Sequence, residues 1–227
     1  MRALWFCLLL LSPAIANAQN AVKVSCRFLC MDGTTPPEKL MILADKDAEI
    51  SCEIPEDRLS PAMVCDVKGN TIRFVSPKDR KPAATATIPA NTKSAILVFI
   101  DGAKTPDALP WRVYVIEDSD KNFPDGGAFV ANFYNQDIRF VVGENKIMLR
   151  PAGSHGFGLP KQRDDFNMAP VVFEFQQEKN WITASESLLR FLPGMRYLIF
   201  AYVDGPSGRP RISTFQDVKA FTPPRAP

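Results

Sequence analysis

Val22-Lys23-Val24-Ser25-Cys26-Arg27-Phe28-Leu29-Cys30 decides the fold class. Val22, Val24, Cys26, Phe28 and Cys30 point one way, and Lys23, Ser25 and Arg27 point the other. A period of two is the repeat of a strand with one face in a core and the other in water. The same alternation returns at Ile50, Cys52 and Ile54 against Glu49, Ser51 and Glu53, and again at Met63, Cys65 and Val67. Half-buried antiparallel strands are therefore expected throughout the N-terminal part.

Turn chemistry separates these strands. Lys68-Gly69-Asn70 joins the Cys65 strand to Thr71-Ile72-Arg73-Phe74-Val75 as a tight hairpin. Asp32-Gly33 and Pro36-Pro37 interrupt the chain after the first strand. Further on, Ala95–Ile100 is an unbroken apolar run, which calls for cover on both faces. Trp111–Glu117 alternates, Ala128–Phe133 is another strand, and Gly143-Glu144-Asn145 joins Asp137–Val142 to Lys146–Arg150. Val171, Phe173 and Phe175 share a face, with a strand at Trp181–Ser185 after them. Met195–Val203 is apolar on both faces and reads as a central strand, turned by Asp204–Gly208 into Pro210–Phe215. Only Ser185–Leu192 suggests a short helix. Strands about ten residues apart with turn clusters between them predict an all-β protein of Ig-like antiparallel β-sandwich architecture in two modules. The expected units are a small N-terminal β-domain over 19–80, a larger sandwich over 84–217 after the Ser76–Lys81 linker, and a disordered proline-rich tail over 218–227. No internal repeat of fixed period is visible.

The N-terminus predicts export. Met1-Arg2, the apolar run Ala3–Leu11, Ser12-Pro13 and Ala16-Asn17-Ala18 have the layout of a secretory signal peptide over 1–18. The run is shorter than the roughly 20 residues that a membrane-spanning helix needs. Cys7 lies inside it without a small-residue lipobox, so a lipid anchor is not expected. No other stretch is long and apolar enough to cross a membrane, so no transmembrane segment is expected after cleavage. A periplasmic or extracellular location follows.

Four cysteines remain after cleavage: Cys26, Cys30, Cys52 and Cys65. An even number in an exported chain favours disulfides. Cys26 and Cys30 on one strand would lie roughly 13 Å apart, and a bridge needs Cα atoms within about 7 Å. Each should therefore bond to a cysteine elsewhere, as 26–52 with 30–65 or as 26–65 with 30–52. The competing reading is four buried thiols acting as small apolar residues. Zinc suits this spacing poorly, and the single histidine is distant.

The formal net charge is +2, with both signs mixed along the chain and no basic stripe, so nucleic acid is not an expected partner. Asp118-Ser119-Asp120-Lys121-Asn122 starts like a calcium loop, but Phe123 stands where glycine is needed and Phe129 where a bidentate glutamate is needed. No metal or other cofactor is expected. His155, in Gly153-Ser154-His155-Gly156, is the only histidine and could act as a base or pH switch. No G-x-S-x-G elbow accompanies Ser154, and an exposed loop residue is the plainer reading. Glu117 with Asp118, Asp164 with Asp165, and Glu174 with Glu178 are the carboxylate pairs that glycoside hydrolysis would require; such pairs are also common on solvated faces. The long segment from Gly153 to Pro170 carries Arg163, Asp164 and Asp165. These three with His155 are the candidate binding residues, since long loops in compact β-domains are often functional. Trp111, Trp181, Tyr134 and Tyr202 are the aromatic residues that a sugar platform would use. No catalytic residue is assigned.

Leu40-Met41-Ile42-Leu43-Ala44, Arg58-Leu59-Ser60, Pro89-Ala90 with Ile96-Leu97-Val98-Phe99, Phe123-Pro124-Asp125-Gly126-Gly127 leading into Ala131-Asn132-Phe133, and Gly143 with the strand before Pro151 form a further pattern. Together these segments resemble an uncharacterised family of secreted bacterial all-β proteins with no assigned activity. The resemblance spans nearly all of the mature chain. It implies an Ig-like sandwich and carries over no catalytic residue. The expected role is a non-enzymatic binding or envelope-associated structural component whose partner is another envelope protein or a glycan. The alternatives are a secreted carboxylate-dependent hydrolase and a carbohydrate-binding module.

Overall fold

A computed structural model describes residues 21–37, 39–43, 49–205 and 207–218. The expected signal peptide and the tail beyond 218 lie outside the described residues. Among the described residues there is no helix and there are sixteen strands. The first eight are β1 (Val22–Cys30), β2 (Leu40–Leu43), β3 (Glu49–Cys52), β4 (Met63–Val67), β5 (Thr71–Val75), β6 (Pro82–Thr87), β7 (Ser94–Asp101) and β8 (Trp111–Glu117). The second eight are β9 (Ala128–Asn132), β10 (Ile138–Val142), β11 (Asn145–Leu149), β12 (Ser154–Phe157), β13 (Met168–Gln177), β14 (Asn180–Arg190), β15 (Met195–Val203) and β16 (Pro210–Val218). The protein is an all-β sandwich of two modules.

The strand pairings draw the boundary elsewhere than at residues 80–84. Val75 pairs with Pro82 and Phe74 with Ala84, so a cut there would fall inside the β5–β6 hairpin. The first module has sheets β4-β1-β7-β8 and β3-β2-β5-β6; the second has β12-β9-β15-β16 and β11-β10-β13-β14. Adding eight to each strand number of the first module reproduces the second. The chain is thus a topological duplication that leaves no fixed period in the sequence, because the loops differ in length and only the alternation of faces is common to both halves. The modules are not purely antiparallel either. β1 pairs in parallel with β7, and β9 with β15, since the first and seventh strands of each module lie side by side in one sheet.

Three apolar layers hold four sheets in a stack. Cys26, Phe28, Leu97 and Phe99 meet Ile42, Ile72 and Phe74 inside the first module. Phe28, Phe74 and Phe99 touch edge to face, with ring centroids 5.1 to 6.5 Å apart. Val130, Ile199, Phe140, Val171 and Phe173 fill the second module. Between the modules, Leu29, Ile96 and Val98 pack on Phe129, Leu198 and Phe200. β7 and β15 are therefore covered on both faces, which is why β7 is apolar from Ala95 to Ile100 and β15 from Tyr197 to Val203. The same layer corrects the expectation for β1: its second face, with Arg27 and Leu29, meets the other module instead of solvent. Each fully buried Leu, Ile or Phe contributes roughly 1.5–3 kcal/mol, so the inter-module layer is a major source of stability.

The turns follow their chemistry. Gly69 and Asn70 both adopt positive φ, 54° and 61°, and Lys68 and Thr71 exchange backbone hydrogen bonds around them. This is the two-residue hairpin turn that matches strand twist. The short helix expected over Ser185–Leu192 is strand instead: Met168, Pro170 and Val172 pair with Arg190, Leu188 and Glu186. Ladder pairing along β13 overrides the weak local helical pattern.

The expected bridges are absent. Cys26, Cys30, Cys52 and Cys65 are free, buried thiols. All four face the first module's core, where they pack as small apolar residues. The Cys26 thiol is hydrogen-bonded to Cys65, and that bond together with burial raises its pKa. Burial pushes the Cys30 and Cys52 thiols up to about 12. Cys30 lies near the Met31 and Thr34 carbonyls and Cys52 bonds the Leu40 carbonyl.

Candidate functional site

The four residues singled out in the sequence do not form one site. His155 is on β12, not in a loop, and pairs with Val130 of β9. Its exposed ring meets Phe157 edge-on, with centroids 4.9 Å apart. Ser154 precedes it in the strand and so faces the opposite side. Gly156 sits where any Cβ would come within 2.3 Å of the Asn122 carbonyl oxygen, which lets the linker between the modules cross over β12. His155 opens on a cleft of about 380 Å³ that also involves Glu144, Lys146 and Lys161. Glu144 is already engaged, accepting the amides of Lys161 and Gln162 at 3.1 to 3.3 Å. Those amides, Lys161 first, hold its carboxyl below the usual range.

Arg163, Asp164 and Asp165 serve the loop itself. The Arg163 guanidinium donates to the Phe191 carbonyl at 2.8 Å. Asp164 Oδ1 accepts the amides of Phe166 and Met168, at 2.9 and 2.8 Å, an Asx-type turn. Asp165 is exposed beside them. The segment that looked like a binding loop is pinned to Glu144 in the β10–β11 turn at one end and to Phe191, just past β14, at the other.

The remaining acids are also drawn apart. Asp118 and Asp217 form a quartet with Arg27 and Arg196 at one end of the inter-module layer. Arg27 reaches Asp217 at 2.7 Å and Asp118 at 2.9 Å, and Arg196 reaches Asp118 at 2.9 Å. Arg196 also donates to the Phe123 carbonyl and lies 3.9 Å over the Phe123 ring. Burial alone would raise the Asp217 carboxyl; the hydrogen bonds and charge of Arg27 and Arg196 outweigh it and hold it below the ordinary value. Asp118, first residue of the calcium-like stretch, is thus committed to two guanidiniums. Glu174 pairs with Arg139 and Lys146. The aromatic residues are equally dispersed: Trp111 packs on the first core and donates to the Thr35 carbonyl, Trp181 carries the Arg139 guanidinium on its ring, Tyr134 packs on the second core and Tyr202 on the layer between the modules.

The feature that sequence reading missed is β14. It is a terminal strand of its sheet and has eleven residues, against four to nine for the other terminal strands β3, β4, β6, β8, β11, β12 and β16. It contains neither proline nor lysine. A bulge divides it: Phe173 pairs with Ser185 and Glu174 with Thr183, so Ala184 is the extra residue. From Ser185 to Arg190 the edge is regular, with Glu186, Leu188 and Arg190 exposed and Leu188 59 % accessible. The helix-like run of small and apolar residues concealed it. Among the described residues no helix is long and apolar enough to cross a membrane, and no group of three or more acidic, histidine or cysteine side chains is placed to hold a metal. No protein-family model matches the chain, and no curated protein matches it.

Proposed function

We propose that this is an exported, non-enzymatic binding component that takes up an extended segment of an envelope protein along β14. The observation that carries the proposal is the uncovered, regular half of that edge. A terminal strand offers a row of unpaired backbone donors and acceptors, and natural proteins blunt such edges with lysine, proline or shortness. Ser185–Arg190 has no lysine or proline; its guards are the charges of Glu186 and Arg190 and the bulge at Ala184, and among the described residues only the Arg190 carbonyl is taken outside the ladder, by the Tyr197 hydroxyl. An incoming strand would gain its affinity from the backbone ladder and its selectivity from the side chains that alternate along it. Leu188 supplies the apolar anchor, and Glu186 and Arg190 set a charge pattern on either side. Export follows from the leader-like N-terminus, and the resemblance to secreted all-β proteins fits it. The carboxylate-dependent hydrolase is the weaker reading, because Asp118, Asp164 and Glu174 are engaged in separate structural contacts.

The test is recovery of a partner from the native envelope fraction by the mature protein, compared with Leu188→Lys. The lysine is tolerated on an exposed position and places a charge on the edge. The expected result is a partner held by the wild type and lost by the variant, with amide-exchange protection over 185–190. A partner that the variant retains equally, or turnover of a glycan or ester panel with no partner recovered, would refute this reading.

A further inference from the structure

A cleft of about 660 Å³ opens at the far end of β16 from the Arg27–Asp217 quartet. Three turns supply its walls. Tyr134 and Gln136 come from the segment after β9, Gln176, Gln177 and Glu178 from the end of β13, and Arg209 from the turn before β16. The bulged Ala184 lines it too. Its size lies within the range of small-ligand sites.

Two observations separate this cleft from an incidental groove. First, none of these six polar side chains has a hydrogen-bond or ion-pair partner among the described residues, although elsewhere in this module Arg139, Glu144, Arg163, Asp164 and Arg196 are all engaged. Their donors and acceptors remain free for a ligand. Second, the turn on its rim is strained. Glu178 and Lys179 both adopt positive φ, 48° and 72°, in a two-residue hairpin that normally takes Asn-Gly. Non-glycine residues in this conformation cost on the order of 1 kcal/mol or more each, and such strain gathers at functional sites.

The chemistry of the lining selects the ligand. One glutamate against one arginine leaves the cleft without net charge, which disfavours phosphates and nucleic acids, since these need clustered positive charge. Three glutamine amides each offer an acceptor and two donors, a match for neighbouring hydroxyl groups that both give and accept. Tyr134, held against the second core, adds an aromatic ring with a polar tip. We propose that this cleft binds a neutral glycan segment. The site is separate from the Ser185–Arg190 edge and does not depend on a protein partner there.

The test is an amide chemical-shift titration of the full mature chain with cellohexaose, maltohexaose, xylohexaose and chitohexaose as separate probes. One of them is expected to move signals at 134–136, 176–178 and 208–210. Gln136→Ala and Gln177→Ala replace exposed side chains and should each weaken that response by about tenfold, the value of a single good hydrogen bond. Leu188→Lys should leave it unchanged. Silence from all four glycans, or shifts clustered around Trp111 or Trp181 instead, would overturn the assignment. Loss of the response in Leu188→Lys would also overturn it, by showing the two surfaces to be one.

Discussion

Replacing Asp217 by asparagine would turn a neutral buried quartet into one with an unpaired positive charge. Asp217 accepts from Arg27 at 2.7 and 3.2 Å and from Arg196 Nε at 3.1 Å. An asparagine offers one oxygen where the carboxylate had two, and its NH₂ group would point donors at donors. Two guanidiniums would then share only Asp118. Removing one member of a buried ion pair costs about 3–5 kcal/mol. Side-chain exposures of 18 % at Arg27 and 14 % at Asp118 admit some water, which places the expected loss near the lower figure, about 3 kcal/mol. For a chain of this length that corresponds to roughly 6–12 °C in melting temperature. Urea titration and calorimetry at pH 7 would measure it. The pH dependence gives a second readout. The Asp217 carboxyl is held below its unfolded value, so its contribution is fully present above about pH 4 and fades as pH falls through the folded value. The gap between wild type and variant should therefore narrow in acid. A loss under about 1 kcal/mol, or a gap independent of pH, would show the quartet to be solvated and the reasoning wrong.

Two further outcomes follow from the thiols and the strained turn. In the native, non-reduced protein, Cys26, Cys30, Cys52 and Cys65 should all escape a thiol reagent at pH 8 and all react after denaturation, since all four are buried out of its reach; a bridged peptide in a non-reduced digest would contradict this. Glu178→Asn combined with Lys179→Gly should raise stability by about 1 kcal/mol by relieving the turn, read by urea titration, and unchanged or lower stability would show that the turn is not strained.

The alternation at Val22–Cys30 is enough to identify strands, and the unbroken apolar run at Ala95–Ile100 and the largely apolar Met195–Val203 point to cover on both sides. What covers them was not legible, because Leu29 and Phe200 carry no mark of whether their partner is the same sheet's neighbour or another module. Partner choice is a long-range property, and so is the parallel pairing of β1 with β7. The duplication was hidden for the same reason: it resides in pairing order, not in residue identities. The bridges expected from an even cysteine count do not form. Four cysteines facing one core satisfied parity and burial, yet these conditions are met equally well by thiols used as small apolar side chains. Among site residues, Arg163 and Asp164 drew attention as charges in a long segment, but charge alone does not distinguish a ligand contact from a turn brace. The six cleft residues lie on three separate turns, and nothing in their local spacing announces that the turns converge.

Because apolar packing joins the two halves back to back, neither can be studied by dissection. A fragment released at 118–127 would show water an aliphatic and aromatic wall, Leu29, Ile96 and Val98 on one half or Phe129, Leu198 and Phe200 on the other. It would clump, or pair with a copy of itself, before it behaved autonomously. Lengthening that same connector with flexible residues should be harmless, since what unites the halves is the seam and the peptide between them is only a tether.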